Sequence, residues 1–267
     1  MSTEELSYLD LSFSLLLVVG LAILLSAYRL GVTQSLLVAT VRLVVQLSLI
    51  GYVLRFLFAS GNEPYVAVMA LVMLMVASRE IMARQKRRLK GWGSLGIGAG
   101  TLFISSFAIA LYGILVVVHP KPWYTPQYVI PLLGMIMSNT MNAISLCMDR
   151  LTSTVYDYRD VIEQRLALGQ TSREAIKTYA KDCIRTGITP IINSMATAGI
   201  VTLPGMMTGQ ILAGASPVEA VRYQIMIWIL IAAGAGFGMA FALRMMENSL
   251  FDNRMRLRLD RFEEPKK

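Results

Sequence analysis

Residues 129–151 read VIPLLGMIMSNTMNAISLCMDRL. About 20 helical residues at about 1.5 Å each cross the hydrocarbon core of a bilayer, so this run is long enough to span one. Ser138, Asn139 and Asn142 interrupt it. Asn139 and Asn142 are three apart and share one face of a helix. Amides in lipid are costly unless that face meets another helix or a polar path. Two readings follow: polar glue between helices, or a lining for something that passes through.

Outward from that run, the composition is that of a polytopic helical membrane protein. Hydrophobic residues make up 55% of the 267 and charged residues 16%, where soluble domains carry nearer a quarter charged. The spacing predicts seven spans, at about 11–25, 36–58, 65–81, 95–118, 128–148, 187–212 and 217–246. One transmembrane domain, 1–267, accommodates them all, with a cytosolic segment at about 149–186. The first run follows Glu4, Glu5 and Asp10 with no Lys or Arg before it; a cleavable signal peptide needs a positive start, so the run reads as a retained helix.

The net charge of +8 invites a nucleic-acid reading, but its placement argues against one. Arg79, Arg84, Lys86, Arg87, Arg88 and Lys90 face Glu80 alone between two spans. The 149–186 connection and the C-terminal tail are also basic. Positive loops lie on the cytosolic side, which puts the N-terminus outside and the C-terminus in the cytosol. Cys147 and Cys183 build no disulfide framework or metal site. His119, beside Pro120, reads as an interfacial loop residue. With one histidine, no GxxxxGK[ST] loop and no nucleophile–base constellation, catalysis by this chain is excluded as a working reading, and it holds neither ATP nor another cofactor.

Three features remain as candidates for function. Arg42 lies inside the second span with Gln46 one turn later; a guanidinium there snorkels to the interface, pairs across helices or lines a path. Pro204 and Gly205, followed by Met206, Met207 and Thr208, break the sixth span, as a simple kink or as backbone lining a cavity. Freed carbonyls, the Thr208 hydroxyl and thioether sulfurs there are candidate ligands, although methionine is more often core filler. The cytosolic segment reads as a helix through Glu163 and Arg165, ended by Gly169 at a C′ position. Thr171 and Glu174 then sit at capping-box spacing, opening a second helix through Ala175, Ile176 and Tyr179. Helix, glycine turn and helix make a knob that fits a socket on a partner.

The knob's Glu163-to-Gly169 spacing resembles the coupling motif of ABC permeases, and most of the chain, from about Leu15 to Leu250, resembles the FetB-type ABC permeases. That family includes bacterial iron-export permeases and plant permeases of aluminium tolerance. The residues that carry the resemblance are Arg42, Gln46–Leu47 and Gly51–Leu54; Val129–Pro131, Gly134–Ile136, Asn139, Met141 and Leu146; and Leu203–Gly209 with Tyr223–Met226. It implies a permease that works as a homodimer in a bacterial inner membrane or a plant membrane. A separate cytosolic ATPase uses the ATP, and iron or a related metal ion is the exported substrate. Members carry charges shortly before the Leu-Pro-Gly segment; here Asn193 and Ala196 are neutral, a departure that bears on ion preference. Two rivals belong to other classes: a carrier driven by an ion gradient, which would place acids at the midplane, and a membrane scaffold for a cytosolic partner.

Overall fold

A computed structural model describes residues 7–29, 31–85, 92–252 and 254–261. Of the expected basic cluster, Lys86, Arg87, Arg88 and Lys90 lie outside the described residues. The chain is helical, with no strand among the described residues, and it forms two units, Met1–Gly61 and Asn62–Lys267.

The first unit is a hairpin of α1 (Tyr8–Ala27) and α2 (Thr33–Ser60). Ser7 caps α1: its backbone N–H donates to the Asp10 carboxylate at 2.9 Å, and its hydroxyl accepts from Leu9 at 3.3 Å. Gly61, at φ 57°, takes the left-handed turn that ends α2. Among the described residues of this unit, Ala22 and Leu57 alone are buried hydrophobics. Arg42 and Gln46 are exposed on α2, one turn apart as expected.

In the second unit, α3 (Glu63–Ala83), α6 (Pro126–Asp157) and α10 (Pro217–Leu250) each start with proline in the first turn, where its missing N–H costs nothing. The crossing between α3 and α6 is composite. It runs through α4 (Trp92–Leu102), a π-helical turn at Phe103–Phe107, α5 (Ala108–Tyr112) and a second π-helical turn at Gly113–Val118. α6 is the hub, packed on α3, α8 (Ser172–Thr197) and α10. Ile136, Ile144, Leu151 and Val155 of α6 and Ala235, Met239 and Met246 of α10 are all buried, and the two helices pack on one another. Glycines let these helices approach closely. A Cβ on Gly187 of α8 would lie 2.6 Å from the Ala143 carbonyl oxygen, and one on Gly238 would lie 2.8 Å from a Thr140 methyl carbon.

Six helical stretches among the described residues are long and apolar enough to cross a membrane: Leu9–Ala27, Thr33–Ser60, Glu63–Ala83, Gly98–Val118, Pro126–Asp157 and Pro217–Leu250. The stretch expected as a sixth span of seven, 187–212, is not one helix. α8 enters it from the knob and stops at Thr197; the chain turns through 198–204 and resumes as α9 (Gly205–Leu212). Gly199 at φ 84° and Pro204, which has no N–H, force the turn. Pro204 therefore marks a full break and restart. The fifth span also runs on past Met148, to Asp157.

Candidate transport path and coupling site

On α6, the Asn139 amide N–H donates to the Met135 carbonyl one turn back at 2.8 Å. Asn142, on the same face, accepts from Arg84 Nη1 at 2.5 Å through its Oδ1. Arg84 closes α3 and also pairs with Glu80 at 3.7 Å. Asn139 and Asn142 line a notch of about 70 Å³ together with Gly187, Pro190 and Ser194 of α8. Pro190 has no N–H to donate to the Thr186 carbonyl, so that helical hydrogen bond is missing from α8. The expected shared face of the two amides is therefore real, and it opens onto α8. Nearby, Gln85, just past the end of α3, donates to the Met148 sulfur at 3.7 Å. Asn142 is thus level with the end of α3, toward the basic end of the bundle and away from its middle.

The Pro204 segment is arranged differently from the expectation. The Pro204 carbonyl accepts both the Thr208 N–H at 3.0 Å and the Thr208 hydroxyl at 3.1 Å. Those groups are satisfied locally, and Gly199 N–H likewise donates to the Thr202 carbonyl at 2.8 Å. Met206 and Met207 are half-buried, Gly205 is exposed, and the tip carries Ile200, Val201 and Leu203 to solvent. This tip is apolar and does not join the notch. Arg42 and Gln46 belong to the other unit. Among the described residues, no three His, Cys, Asp or Glu side chains come together as metal ligands, and Cys147 and Cys183 are buried free thiols.

The knob forms as its sequence suggests. α7 (Arg159–Ala167) ends at Leu168, and Gly169 takes φ 90°. Thr171 and Glu174 then form a capping box. The Thr171 N–H and hydroxyl donate to the Glu174 carboxylate at 2.9 and 2.8 Å, and the Glu174 N–H donates back to the hydroxyl at 3.3 Å. The Thr171 backbone N–H holds the Glu174 carboxyl below its usual range, with its hydroxyl adding to the effect. Arg165 is used inside the knob: it donates to the Ala175 carbonyl at 3.1 Å and lies over the Tyr179 ring. Ile162 and Ala175 close the small core between α7 and α8. Glu163 and Gly169 remain exposed, and Leu168 at the tip is 84% exposed.

Glu247, in the last turn of α10, has no signature in the sequence. Its side chain is 13% exposed and receives Arg173 at 3.5 Å, Arg244 at 3.2 Å and the Ser172 hydroxyl at 3.5 Å. This clamp fastens the first turn of α8, and so the knob, to the last membrane helix. A separation of 75 residues hides such a contact from any local pattern.

The chain matches a family model described as an uncharacterised protein family, UPF0014, over residues 8–251. It is 40% identical to the UPF0014 membrane protein slr1647 of Synechocystis, covering 85% of this chain and 87% of that one. It is 36% identical to the rice UPF0014 membrane protein STAR2, over 79% of this chain and 72% of that one. To the probable iron export permease protein FetB of Escherichia coli it is 29% identical, over 96% and 97% of the two chains. No solved structure matches it. The resemblance read from Arg42–Leu54, Val129–Leu146 and Leu203–Met226 thus extends along nearly the whole chain, and the protein is an integral membrane member of the UPF0014 family.

Proposed function

We propose that this chain is the transmembrane permease subunit of an ABC exporter that moves iron or a related metal ion out of the cytosol. A separate cytosolic ATPase drives it, and the permease works as a homodimer with its N-terminus outside and its C-terminus in the cytosol. Residues 1–267 act as one permease domain in this reading. The observation that carries it is the knob. An exposed apolar tip at Leu168 is presented by a rigid helix–Gly–helix turn, and Glu247 ties that turn to α10. Such a device passes force from a soluble partner to membrane helices. The relative named an iron export permease supports the direction and the metal.

ATP binding by the partner moves the knob, α8 follows, and the notch between α6 and α8 opens to one side and then the other. The Asn139 amide oxygen and the Ser194 hydroxyl offer neutral oxygens, joined by the Asn142 oxygen only once Arg84 releases it, and such a set holds a cation that keeps part of its own ligand shell weakly enough to release it. Arg84 guards the basic end of the notch.

The test is turnover of the neighbouring ATPase subunit, reconstituted in lipid with this chain, with and without Fe²⁺. Stimulation by Fe²⁺ that is lost in Glu163→Ala and Gly169→Val supports the reading. Stimulation that ignores metal removes the metal and keeps the motor. No association with the ATPase sinks the motor, and flux without ATPase then favours the gradient-driven carrier. Asn142→Ala, which also frees Arg84, should cut flux while the chain still purifies as a folded dimer.

A further inference from the structure

Beyond α10 the chain does not trail away. Arg258 N–H donates to the Leu250 carbonyl at 2.8 Å, Phe251 pairs antiparallel with Leu257, and both Leu250 and Phe251 are buried. Asp252 organises the turn between them. Its carboxylate accepts the backbone N–H groups of Arg254 at 2.9 Å and Arg256 at 2.8 Å, and the Arg256 side chain at 2.9 Å. Those hydrogen bonds hold the Asp252 carboxyl below its usual range. Arg261 donates to the Ser249 carbonyl at 2.7 Å and fastens the far side. At the apex Met255 takes φ 57°, a left-handed conformation that a side-chain-bearing residue adopts only where its surroundings impose it.

This hairpin faces the knob. Between them lies a cleft of about 600 Å³, walled by Glu163, Leu166 and Gly169 on one side and by Arg254, Met255 and Arg256 on the other. The hairpin wall is basic: Arg256 is neutralised by Asp252, while the Arg254 guanidinium has no acidic partner among the described residues. Met255 is 48% exposed, and Leu168 projects from the knob turn beside the cleft. The Arg254 guanidinium, with Leu166, Met255 and Leu257 lining the same cleft, suits a protein segment that brings an apolar side chain flanked by carboxylates.

We infer that the cleft between the knob and the C-terminal hairpin is a two-walled socket for an acidic, apolar-tipped segment of the ATPase subunit, with Arg254 and Met255 as its second wall. This inference rests on the motor-coupled reading above. It goes further by making the hairpin as necessary for docking as the knob. A surface that only attracted anionic lipid headgroups would need the same cations but not the apolar side chains of Leu166, Met255 and Leu257 beside them.

The experiment measures binding of the neighbouring ATPase subunit to the full chain in nanodiscs of zwitterionic lipid and, separately, of lipid with an anionic component. Arg254→Glu, Met255→Ser and the knob variant Leu168→Ser are compared with Arg222→Glu, a charge reversal in the first turns of α10. The inference expects Arg254→Glu and Leu168→Ser each to weaken binding at least about tenfold in both lipids. Arg222→Glu should bind as the parent does. Arg254→Cys should crosslink to the ATPase through a short bifunctional reagent, since both native cysteines are buried. Binding that falls with Leu168→Ser but not with Arg254→Glu overturns the two-walled socket and leaves the knob as the sole dock. A defect seen only in anionic lipid overturns it in favour of a headgroup contact. A parent chain that does not bind the ATPase overturns both this inference and the reading beneath it.

Discussion

The hairpin α1–α2 and the hub helix α6 invert the rule that governs soluble proteins. α1 and α2 outrank α6 in hydropathy, yet almost nothing in them is buried. α6 has the lowest hydropathy of the six candidate spans and the largest buried share, 61% of its most apolar window. In water, burial selects apolar side chains. In lipid, a Leu facing acyl chains is as well solvated as a Leu facing another helix, so apolarity marks exposure and small or polar residues mark contact. Thr140, Ser145, Thr152 and Thr154 are buried on α6, while Leu9, Phe13, Leu16, Leu17 and Ile23 of α1 are exposed.

The comparison is broken most severely at Gly187. A valine there would drive its Cβ to 2.6 Å from a backbone carbonyl that cannot rotate away. Overpacking costs about 1–3 kcal/mol even where side chains can yield. Gly187→Val should therefore abolish the monodisperse peak in detergent, and a normal peak and melting curve would show that α6 and α8 are not locked there.

Next comes Glu247→Ala, which leaves Arg173 and Arg244 without their shared carboxylate. Each pair is partly exposed and contributes at most about 1 kcal/mol to stability, so melting should fall by only a few degrees. On the motor-coupled reading proposed above, flux per ATP should fall about tenfold, the size of a coupling of about 1.4 kcal/mol. Equal losses of ATPase activity and flux would instead mark Glu247 as a docking residue.

The knob is smaller and local. Thr171→Ala removes a cap worth about 1 kcal/mol, and proteases should then cut near 168–171 while the bundle melts unchanged. The same turn responds to acid. Because the folded Glu174 carboxyl lies below its usual value, its contribution is complete above the unfolded value of about 4.3 and is lost as pH falls through the folded one. Deuterium uptake by the turn, corrected for intrinsic rate, should rise below about pH 4 in the parent. In Thr171→Ala, which keeps the backbone N–H but loses the hydroxyl, that rise should be smaller.

At the bottom of the scale, Leu17→Ala on α1 should shift stability by no more than about 0.5 kcal/mol. Leu17 is 79% exposed, and a larger loss would mean that this face is covered in the working assembly.

These contrasts also explain what could be read from the chain and what could not. Hydropathy located the apolar stretches because lipid-facing residues announce themselves in runs. Gly169, Thr171 and Glu174 were legible because caps and turns are encoded within a few residues. The shared face of Asn139 and Asn142 followed from helical period. Hydropathy predicts a span at 187–212 that α8 does not make, because the apolar second half of α8 joins a polar first half and hydropathy cuts helices where composition changes rather than where hydrogen bonds end. In the sequence Arg84 is one charge of a topogenic cluster; in the fold it holds Asn142, which lines the notch. That contact, the Glu247 clamp and the Asp252 hairpin depend on which helices meet, which no local pattern contains.

The crossing of Gly187 on Ala143 has one further consequence. α8 is 26 residues long, and that near-backbone contact divides it into arms of roughly 22 Å toward the knob and roughly 15 Å toward the 198–204 tip. A rigid rod pinned at such a fulcrum swings its two ends in opposite directions. A sideways push of about 3 Å at the knob then carries the far tip back by about 2 Å, so a glycine makes one helix a lever with a gearing below one.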